Sequence, residues 1–157
     1  MKIQAIFCRN SLKNIIYLLI DEHKKEAVCI DPFDAQLVKQ ELKKQSLRLN
    51  YIINTHEHWD HIRGNKELKQ EYNCEIYSVE GVKEKDFILK DKQIFHFAGS
   101  EFSAHYTPGH TMNHFCLLAN TNKESHLFSG DMLFNAGVGN CKNGGDVNKT
   151  IKSIEEI

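Results

Sequence analysis

The sequence predicts an α+β fold in which a mixed β-sheet is covered by helices. Short runs of apolar or alternating residues, typical of strands, recur along the chain between turn-forming residues. Amphipathic segments with helical spacing interrupt these runs in the first half, and another lies near the last residue. Strands and helices in this order favour a layered domain whose functional loops lie at strand ends.

The first half is predicted to open with a β-meander and to continue with alternating helices and strands. The predicted elements are strands at Ile3–Cys8, Asn14–Ile20 and Ala27–Ile30, a helix at Ala35–Gln45, a strand at Leu49–Asn54, a helix at Gly64–Tyr72 and a strand at Glu75–Ser78. Pro32 ends the meander because proline cannot extend a strand ladder and biases Asp31 toward extended backbone. Leu37, Val38 and Leu42 have the spacing of one helix face.

The second half is predicted to consist of two hairpins, a glycine-rich loop and a final helix capped by Asn148. The elements are strands at Gln93–Phe97, Glu101–Tyr106, Phe115–Ala119 and His126–Ser129, turns at Ala98–Ser100 and Asn120–Lys123, a loop at Gly130–Gly145 and a helix at Asn148–Ile157. The apolar face expected of that helix carries Ile151, Ile154 and Ile157. The alternating aromatic residues expected in the core are Phe95, Phe97, Phe102 and Tyr106. Residues 80–91 are charged and predicted to be irregular.

Length and charge limit the functions that the chain can have. At 157 residues, the segment 1–157 is expected to form one domain with a substantial core. The formal net charge of −1 gives no electrostatic reason to expect nucleic acid or an anionic membrane as a partner. The first residues lack the apolar stretch of a signal peptide. Five cysteines without paired spacing predict free thiols in a reducing cytoplasm.

The segment Thr55–His61 concentrates ligand-type side chains directly after a predicted buried strand. Extended backbone sends alternate residues to one side, so His56, His58 and Asp60 can face a common point. His61 follows where the chain turns toward a helix, so it can approach from another side. This loop therefore predicts a site for more than one metal ion.

Three later residues can join the histidine loop. His110 and Asp131 each follow a predicted strand, and His114 lies one helical turn's spacing beyond His110. Carboxylates and neutral imidazoles suit zinc, iron or manganese, and the set lacks the thiolates of purely structural zinc sites. Two metal ions about 3.5–4 Å apart that share a carboxylate would use this many ligands.

Together these residues resemble the signature of the metallo-β-lactamase superfamily. The matching segments are His56-x-His58-x-Asp60-His61, Pro108-Gly109-His110-Thr111 and Gly130-Asp131. The resemblance implies an αββα sandwich, incomplete at the C-terminus, with a metal site at one edge between two sheets. It also implies two Zn²⁺ sites as the cofactor, with iron or manganese as alternatives.

The resemblance assigns a role to each residue of the set. The implied metal ligands are His56, His58 and His110 for the first ion, Asp60 and His61 for the second, and Asp131 as a bridge. Asp60 and Asp131 would also take part in catalysis, and His114 would orient the ligands rather than bind metal. Glu57 and Trp59 occupy variable positions and are expected to pack the loop or form its rim.

Within the superfamily, the sequence most resembles the hydroxyacylglutathione hydrolases, the glyoxalase II group. Gly130–Phe134 followed by Gly137–Gly139 is similar to a segment of that group. The group places a basic and an aromatic residue just beyond this point to hold glutathione, whereas here Lys142 is the one candidate substrate contact. The group's last metal histidine has no counterpart, so we expect a truncated sandwich, a weakly held second ion and a homodimer that buries the exposed edge.

The resemblance implies hydrolysis of a small-molecule thioester of the acylglutathione type by a metal-bound hydroxide. One alternative is a mononuclear-iron persulfide dioxygenase that uses His56, His110 and Asp131 as ligands. Another is a truncated domain without catalytic activity. Asp31, at the end of a predicted strand, is expected either to orient the metal site or to cap the following helix.

Overall fold

Two main sheets and four helices are formed by residues 1–121 and 124–157, the residues that the computed structural model describes. The strands are β1 (Lys2–Phe7), β2 (Ile15–Asp21), β3 (Glu26–Ile30), β4 (Arg48–Ile53), β5 (Glu75–Ser78), β6 (Phe87–Ile88), β7 (Gln93–Phe97), β8 (Ser100–Tyr106), β9 (Phe115–Asn120), β10 (Ser125–Phe128), β11 (Leu133–Phe134) and β12 (Gly137–Val138). The helices are α1 (Ala35–Gln45), α2 (Trp59–Ile62), α3 (Asn65–Tyr72) and α4 (Val147–Glu156). None of the helices in these ranges is long and apolar enough to cross a membrane.

The larger sheet has the strand order β1-β2-β3-β4-β5-β6. Its first three strands pair antiparallel, and from β3 onward the neighbours pair parallel. Parallel neighbours need a crossover connection, which α1 supplies between β3 and β4, and α3 between β4 and β5. The mixed sheet expected from the sequence is therefore confirmed. The carboxyl ends of β3, β4 and β5 lie along one edge of it.

The smaller sheet is an antiparallel meander of order β10-β9-β8-β7, and it packs face to face with the larger one. Successive residues of a strand point to opposite faces, so Leu18 and Leu19 of β2 enter different apolar clusters. The cluster containing Leu18 lies between the larger sheet and α1 and α3. The cluster containing Leu19 joins the two sheets, with Phe102 on the opposing side. The layers therefore run helix, sheet, sheet.

Helix α1 has the bounds that its local signals predict. Asp34 caps it, because its carboxylate accepts hydrogen bonds from the backbone of Gln36 and Leu37 at 2.9 and 3.3 Å. Val38 and Leu42 are fully buried against the sheet. The cap is therefore Asp34, so capping is excluded for Asp31 and its other expected role, orienting the metal site, remains.

Two segments expected to be irregular contain short strands. Residues 80–91 include β6, which adds a sixth strand to the edge of the larger sheet by pairing parallel with β5. The glycine-rich loop 130–145 contains the β11–β12 hairpin. None of these three two-residue strands is long enough to show a hydrophobic period, so only pairing with neighbouring strands reveals them. The turn expected at Asn120–Lys123 includes residues 122 and 123, which lie outside the described residues.

Helix α4 buries a face that its sequence does not predict. Its N-cap is Asp146, whose carboxylate accepts from the backbone of Lys149 at 3.0 Å, so Asn148 lies inside the helix. The buried residues are Thr150 and Ser153, whereas Ile151 is 52% exposed. Thr150 and Ser153 face the loop that precedes His110.

Close backbone approach explains why this helix packs through small polar residues. A Cβ atom at Gly109 would lie 2.5 Å from the Thr150 Cα atom, so the helix touches the loop almost backbone to backbone. The Ser153 hydroxyl donates to the Pro108 carbonyl at 2.8 Å. The isoleucine face expected in the core is too bulky for this contact and points elsewhere.

Tyr106 is not a core residue, contrary to the expectation from the sequence. Phe95, Phe97 and Phe102 are buried between the sheets, but Tyr106 is 44% exposed. Its hydroxyl donates to the Met112 carbonyl at 2.7 Å. Tyr106 therefore braces the loop that follows β8 instead of filling the core.

Candidate metal centre

The histidine loop leaves β4 at the edge where the parallel strands end. Asn54, just after β4, is fully buried, and its side-chain amide donates to the His61 carbonyl at 3.2 Å. Asn54 and Asn65 also exchange side-chain hydrogen bonds at 2.8 and 3.2 Å. These contacts fold the loop back on itself, so the short helix α2 starts directly after His58.

One ligand set is formed by His56, His58 and His110. Each offers one ring nitrogen, and these atoms lie within 4.8 Å of one another. His58 Nδ1 and His110 Nε2 are 3.0 Å apart. The structure thus brings together three residues assigned to the first ion, two from the loop after β4 and one from the loop after β8.

A second ligand set is formed by His56, His61 and Asp131, again with the ligand atoms within 4.8 Å. Asp131 Oδ1 lies 3.3 Å from His61 Nε2, and Asp131 Oδ2 lies 3.5 Å from His110 Nε2. Its carboxylate therefore presents one oxygen to each set. This is the position expected of a bridging ligand.

Asp60 lies at the margin of the second set. Its Oδ2 atom is 3.7 Å from His61 Nε2 and accepts a hydrogen bond from the Asn14 side chain at 3.0 Å. Asn10 in turn donates to the Asn14 Oδ1 atom at 2.8 Å. The loop between β1 and β2 thus holds Asp60, a contribution that sequence reasoning missed because nothing in the local pattern marks Asn14.

Asp31 orients the site, which decides between its two expected roles. Its carboxylate accepts from the Thr55 backbone at 2.8 Å, from the Thr55 hydroxyl at 2.6 Å and from His61 Nδ1 at 2.9 Å. Asp31 has a φ of +51°, not the extended backbone expected before proline. The buried network at the strand end overrides that local bias, and aspartate tolerates the left-handed region better than most residues do.

Hydrogen bonds at the Nδ1 atoms of two histidines direct their Nε2 lone pairs into the site. The Thr55 hydroxyl gives its proton to Asp31, so it must accept from His56 Nδ1 at 3.0 Å. His110 Nδ1 donates to the Asn140 carbonyl at 2.6 Å. Partners of this kind fix the tautomer of metal-binding histidines in general.

The donor atoms that remain fit a metal ion. His56 Nε2 and His114 Nε2 are buried without an aligned hydrogen bond to any described residue, and His61 Nε2 has only long contacts with Asp131 and Asp60, at 3.3 and 3.7 Å. A buried polar atom without a partner costs free energy, which a bound cation offsets. Oxygen and imidazole donors are also the set that zinc, iron and manganese accept.

The pKa values of these histidines separate into two groups. Burial, reinforced by neighbouring imidazoles, lowers the pKa of His56 and lowers the pKa of His114 to about 3. Burial also lowers the pKa of His110. Burial acts in the same direction on His61, but the carboxylates of Asp31 and Asp131 outweigh it and raise its pKa to about 10. Without metal, His61 is thus an imidazolium between two carboxylates.

His114 is fully buried beside the ligands, and its expected orienting role stays a prediction. Its Nδ1 atom is 2.9 Å from the Thr107 hydroxyl. A Cβ atom at Gly130 would lie 2.8 Å from His114 Nε2 and 2.5 Å from the Thr55 hydroxyl, and Gly130 has a φ of +49°. Only glycine therefore lets the chain pass between these side chains to deliver Asp131.

A groove of about 1000 Å³ opens beside the second ligand set. It runs between the β11–β12 hairpin and the loop that carries Leu12 and Asn14, and Asp60, His61 and Asp131 lie along it. Lys142 is exposed and lies outside the residues that line this groove. Trp59 is an exposed rim residue whose ring packs on Phe33, as expected for a variable position.

Comparison with known proteins agrees with this fold. Residues 16–87 match the model of the metallo-beta-lactamase superfamily. A hydroxyacylglutathione hydrolase from Pelagibacter ubique is 38% identical over 143 residues, which cover 88% of this chain and 58% of that protein. The resemblance to the metallo-beta-lactamase superfamily that the sequence implied is therefore confirmed. It is shorter than the curated hydroxyacylglutathione hydrolases that it matches, spanning 58% and 62% of the length of two of them.

Solved structures show the same fold. The crystal structure of ETHE1 from Myxococcus xanthus has a TM-score of 0.87 at 25% identity, covering 100% of this chain and 69% of that one. The BLEG-1 B3 metallo-beta-lactamase has a TM-score of 0.81 at 25% identity, covering 98% of this chain and 84% of that one. The expected metallo-β-lactamase-like fold is confirmed by these similarities.

Proposed function

We propose that this chain forms the metal centre of a hydrolase that cleaves a thioester of the acylglutathione type. The observation that carries the proposal is the pair of ligand sets joined by Asp131, in which imidazole nitrogens converge and the buried Nε2 atoms of His56 and His61 have no aligned hydrogen bond to a described residue. The curated relatives named hydroxyacylglutathione hydrolase support the substrate class.

The ligands divide between two ions. His56, His58 and His110 would hold one ion, and His61 and Asp60 the other, with Asp131 between them. When bound, zinc or a similar ion lowers the pKa of a coordinated water toward about 7 and polarises a carbonyl oxygen. We propose Zn²⁺ as the ion, with iron or manganese as the alternatives that the same donors accept.

The residues around the ligands keep the centre in one arrangement. Asp31 and Thr55 hold the rings of His56 and His61 through their Nδ1 atoms. Asp131 directs one oxygen to each set, so its carboxylate can accept a hydrogen bond from a water molecule between them and orient that water. The thiolate released from a thioester is stable enough to leave without a strong general acid.

The groove beside Asp60 and Asp131 is the entry that we propose for the scissile carbonyl. It reaches the second ligand set directly and is open to solvent at the β11–β12 hairpin. Lys142 remains the candidate contact for a carboxylate of the thiol carrier, from its own loop just after Asn140.

The experiment is a thiol-release assay with S-lactoylglutathione on protein stripped by a chelator and then reloaded with zinc. We expect thiol release only in the reloaded sample. S-methylglutathione, which has no thioester, is the matched control and should release nothing. Reloaded protein that holds two zinc ions yet releases no thiol would exclude this substrate class.

A second candidate, a persulfide dioxygenase with a single iron, is supported by the similarity to ETHE1. His56, His110 and Asp131 would be its ligands, since Asp131 Oδ2 lies 3.5 Å from His110 Nε2. Oxygen uptake with glutathione persulfide by iron-loaded protein is the test. Turnover of the persulfide alone, with one iron bound, would replace the hydrolase proposal.

A further inference from the structure

Glu57 lies between two proposed ligands in sequence, yet its side chain leaves their loop. Its carboxylate crosses to the segment that follows His110, which is more than fifty residues away along the chain. Oε2 accepts from the Thr111 hydroxyl at 3.0 Å, and Oε1 accepts from the Asn113 side chain at 3.4 Å. One side chain thus joins both loops of the first ligand set.

The surroundings hold Glu57 in this position. Thr111 is 1% exposed, so its hydroxyl has no competing contact with bulk water. On the other side, a Cβ atom at Gly81 would lie 3.8 Å from the Glu57 Cβ atom, which places the turn after β5 in ordinary contact with the glutamate stem. Glu57 is therefore wedged between that turn and the His110 loop, unlike a freely moving surface glutamate.

The hydrogen bond between His58 and His110 cannot hold the two loops together once a metal ion is bound. His110 Nδ1 donates to the Asn140 carbonyl, so its Nε2 atom is an acceptor and His58 Nδ1 must donate to it. An ion bound by both nitrogens needs both lone pairs, and this hydrogen bond is then lost. The hydrogen bonds of Glu57 involve no ligand atom, so they persist in both states.

We propose that Glu57 is a positioning residue that sets the separation of the two loops and thereby the metal affinity of the first ligand set. The inference rests on the proposed function, because it takes His56, His58 and His110 as ligands. It assigns Glu57 a role beyond the loop packing expected from its variable position. The second set gains no comparable contact from Glu57, so the effect should be selective.

The test is a competition titration with a chromophoric chelator on Glu57→Ala, Glu57→Gln and Glu80→Ala. Glu80 is the matched control, since it is an exposed glutamate nearby whose ion pair, with Lys85 at 3.8 Å, touches neither loop. We expect Glu57→Ala to weaken the tighter zinc ion by about 10–100-fold, the usual effect of losing a residue that orients ligands. The weaker ion should keep its affinity, and Glu80→Ala should match wild type.

Glu57→Gln should recover most of the lost affinity, because its amide oxygen can still accept from Thr111. The visible spectrum of the cobalt-substituted protein provides a second readout, and its ligand-field bands should change in Glu57→Ala but not in Glu80→Ala. Thr111→Val added to Glu57→Ala should cost no more than Glu57→Ala alone, since the shared hydrogen bond is already gone. If Glu57→Ala does not fold, Thr111→Val and Asn113→Ala remove the donors singly, and each should weaken the tighter ion.

Several results would overturn the inference. Wild-type affinity in Glu57→Ala, or equal weakening of both ions, would leave Glu57 with no selective role. If Glu57→Gln binds the tighter zinc ion as weakly as Glu57→Ala does, the negative charge of Glu57 matters and its bridging hydrogen bonds do not. Wild-type protein that binds no ion at all would refute the proposed function and the inference with it, whereas metal binding that is insensitive to Glu57 would refute only the inference.

Discussion

The two ligand sets of the candidate metal centre are prepared in different ways. In the first, burial keeps His56 and His110 neutral, and hydrogen bonds at Nδ1 direct their Nε2 lone pairs into the site, where that of His110 accepts from His58 Nδ1. In the second, His61 lies between Asp31 and Asp131, which raise its pKa to about 10. A proton therefore occupies the second set in the metal-free protein, while the first set is ready for an ion.

This difference shows that position alone does not decide how readily a set binds metal. Both sets have ligand atoms within 4.8 Å of one another. An ion entering the second set must displace the His61 proton, whereas in the first set burial keeps His56 and His110 neutral. We therefore expect the first set to fill first, a preference already expected from the sequence because the second set has fewer imidazoles.

Replacing His58 by alanine should have the largest effect, because His58 serves the first set alone. We expect the affinity for the first ion to fall by more than about 100-fold, beyond the range typical of residues that only orient ligands. Thioester hydrolysis should fall to background in the thiol-release assay. His96→Ala, an exposed histidine on β7, should behave as wild type, and unchanged zinc stoichiometry in His58→Ala would remove His58 from the ligands.

Replacing Asp31 by alanine should have the next largest effect, a lower stability of the folded metal-free protein. It removes three hydrogen bonds and leaves the buried His61 imidazolium without its nearest partner, so we expect a loss of about 3–5 kcal/mol in the free energy of unfolding. Urea unfolding of chelator-treated protein measures it. Asp34→Ala, which removes only the cap of α1, should cost about 1 kcal/mol. Equal losses would contradict the central position of Asp31.

Alkaline pH should destabilise the metal-free protein through His61. Its pKa is about 10 in the folded state and about 6.5 in the unfolded chain, so its stabilising contribution is complete below about pH 6.5 and is lost as pH rises through about 10. We expect urea unfolding to show a loss of at least about 1 kcal/mol between neutral pH and pH of about 10. Subtracting the same series for His61→Gln isolates this group from other titrations, and parallel curves would show that His61 is not charged.

Replacing Asn14 by alanine should have the smallest effect, and it should weaken the binding of the second ion only. Asn14 holds Asp60 through one hydrogen bond at 3.0 Å, so we expect the second ion to bind about tenfold more weakly while the first is unchanged. A chelator-competition titration resolves the two ions. Asn50→Ala, which removes a side-chain amide far from the centre on β4, is the control. A loss shared by both ions would mean that Asn14 supports the whole loop.

Local signals explain which parts of the fold could be predicted. Helix α1 has the predicted bounds because its cap, its apolar spacing and its last turn all lie within a dozen residues. Helix α4 has equally clear spacing, yet its isoleucines are not its buried face. The close approach of Thr150 to Gly109 determines which face of α4 is buried. Gly109 lies 41 residues away along the chain, so the apolar spacing within the helix carries no information about this contact.

The sequence by itself determined the inventory of the candidate site: the histidine loop, His110 and Asp131 are named by residue type and spacing. Only the tertiary structure decided which residues support them. Asp31, Asn14 and Glu57 act on partners 24, 46 and 54 residues away. Their residue types are common at turns and surfaces, and a hydrogen bond across such a separation leaves no local pattern. The chemistry of a ligand belongs to its side chain, whereas its orientation belongs to neighbours that only folding brings near.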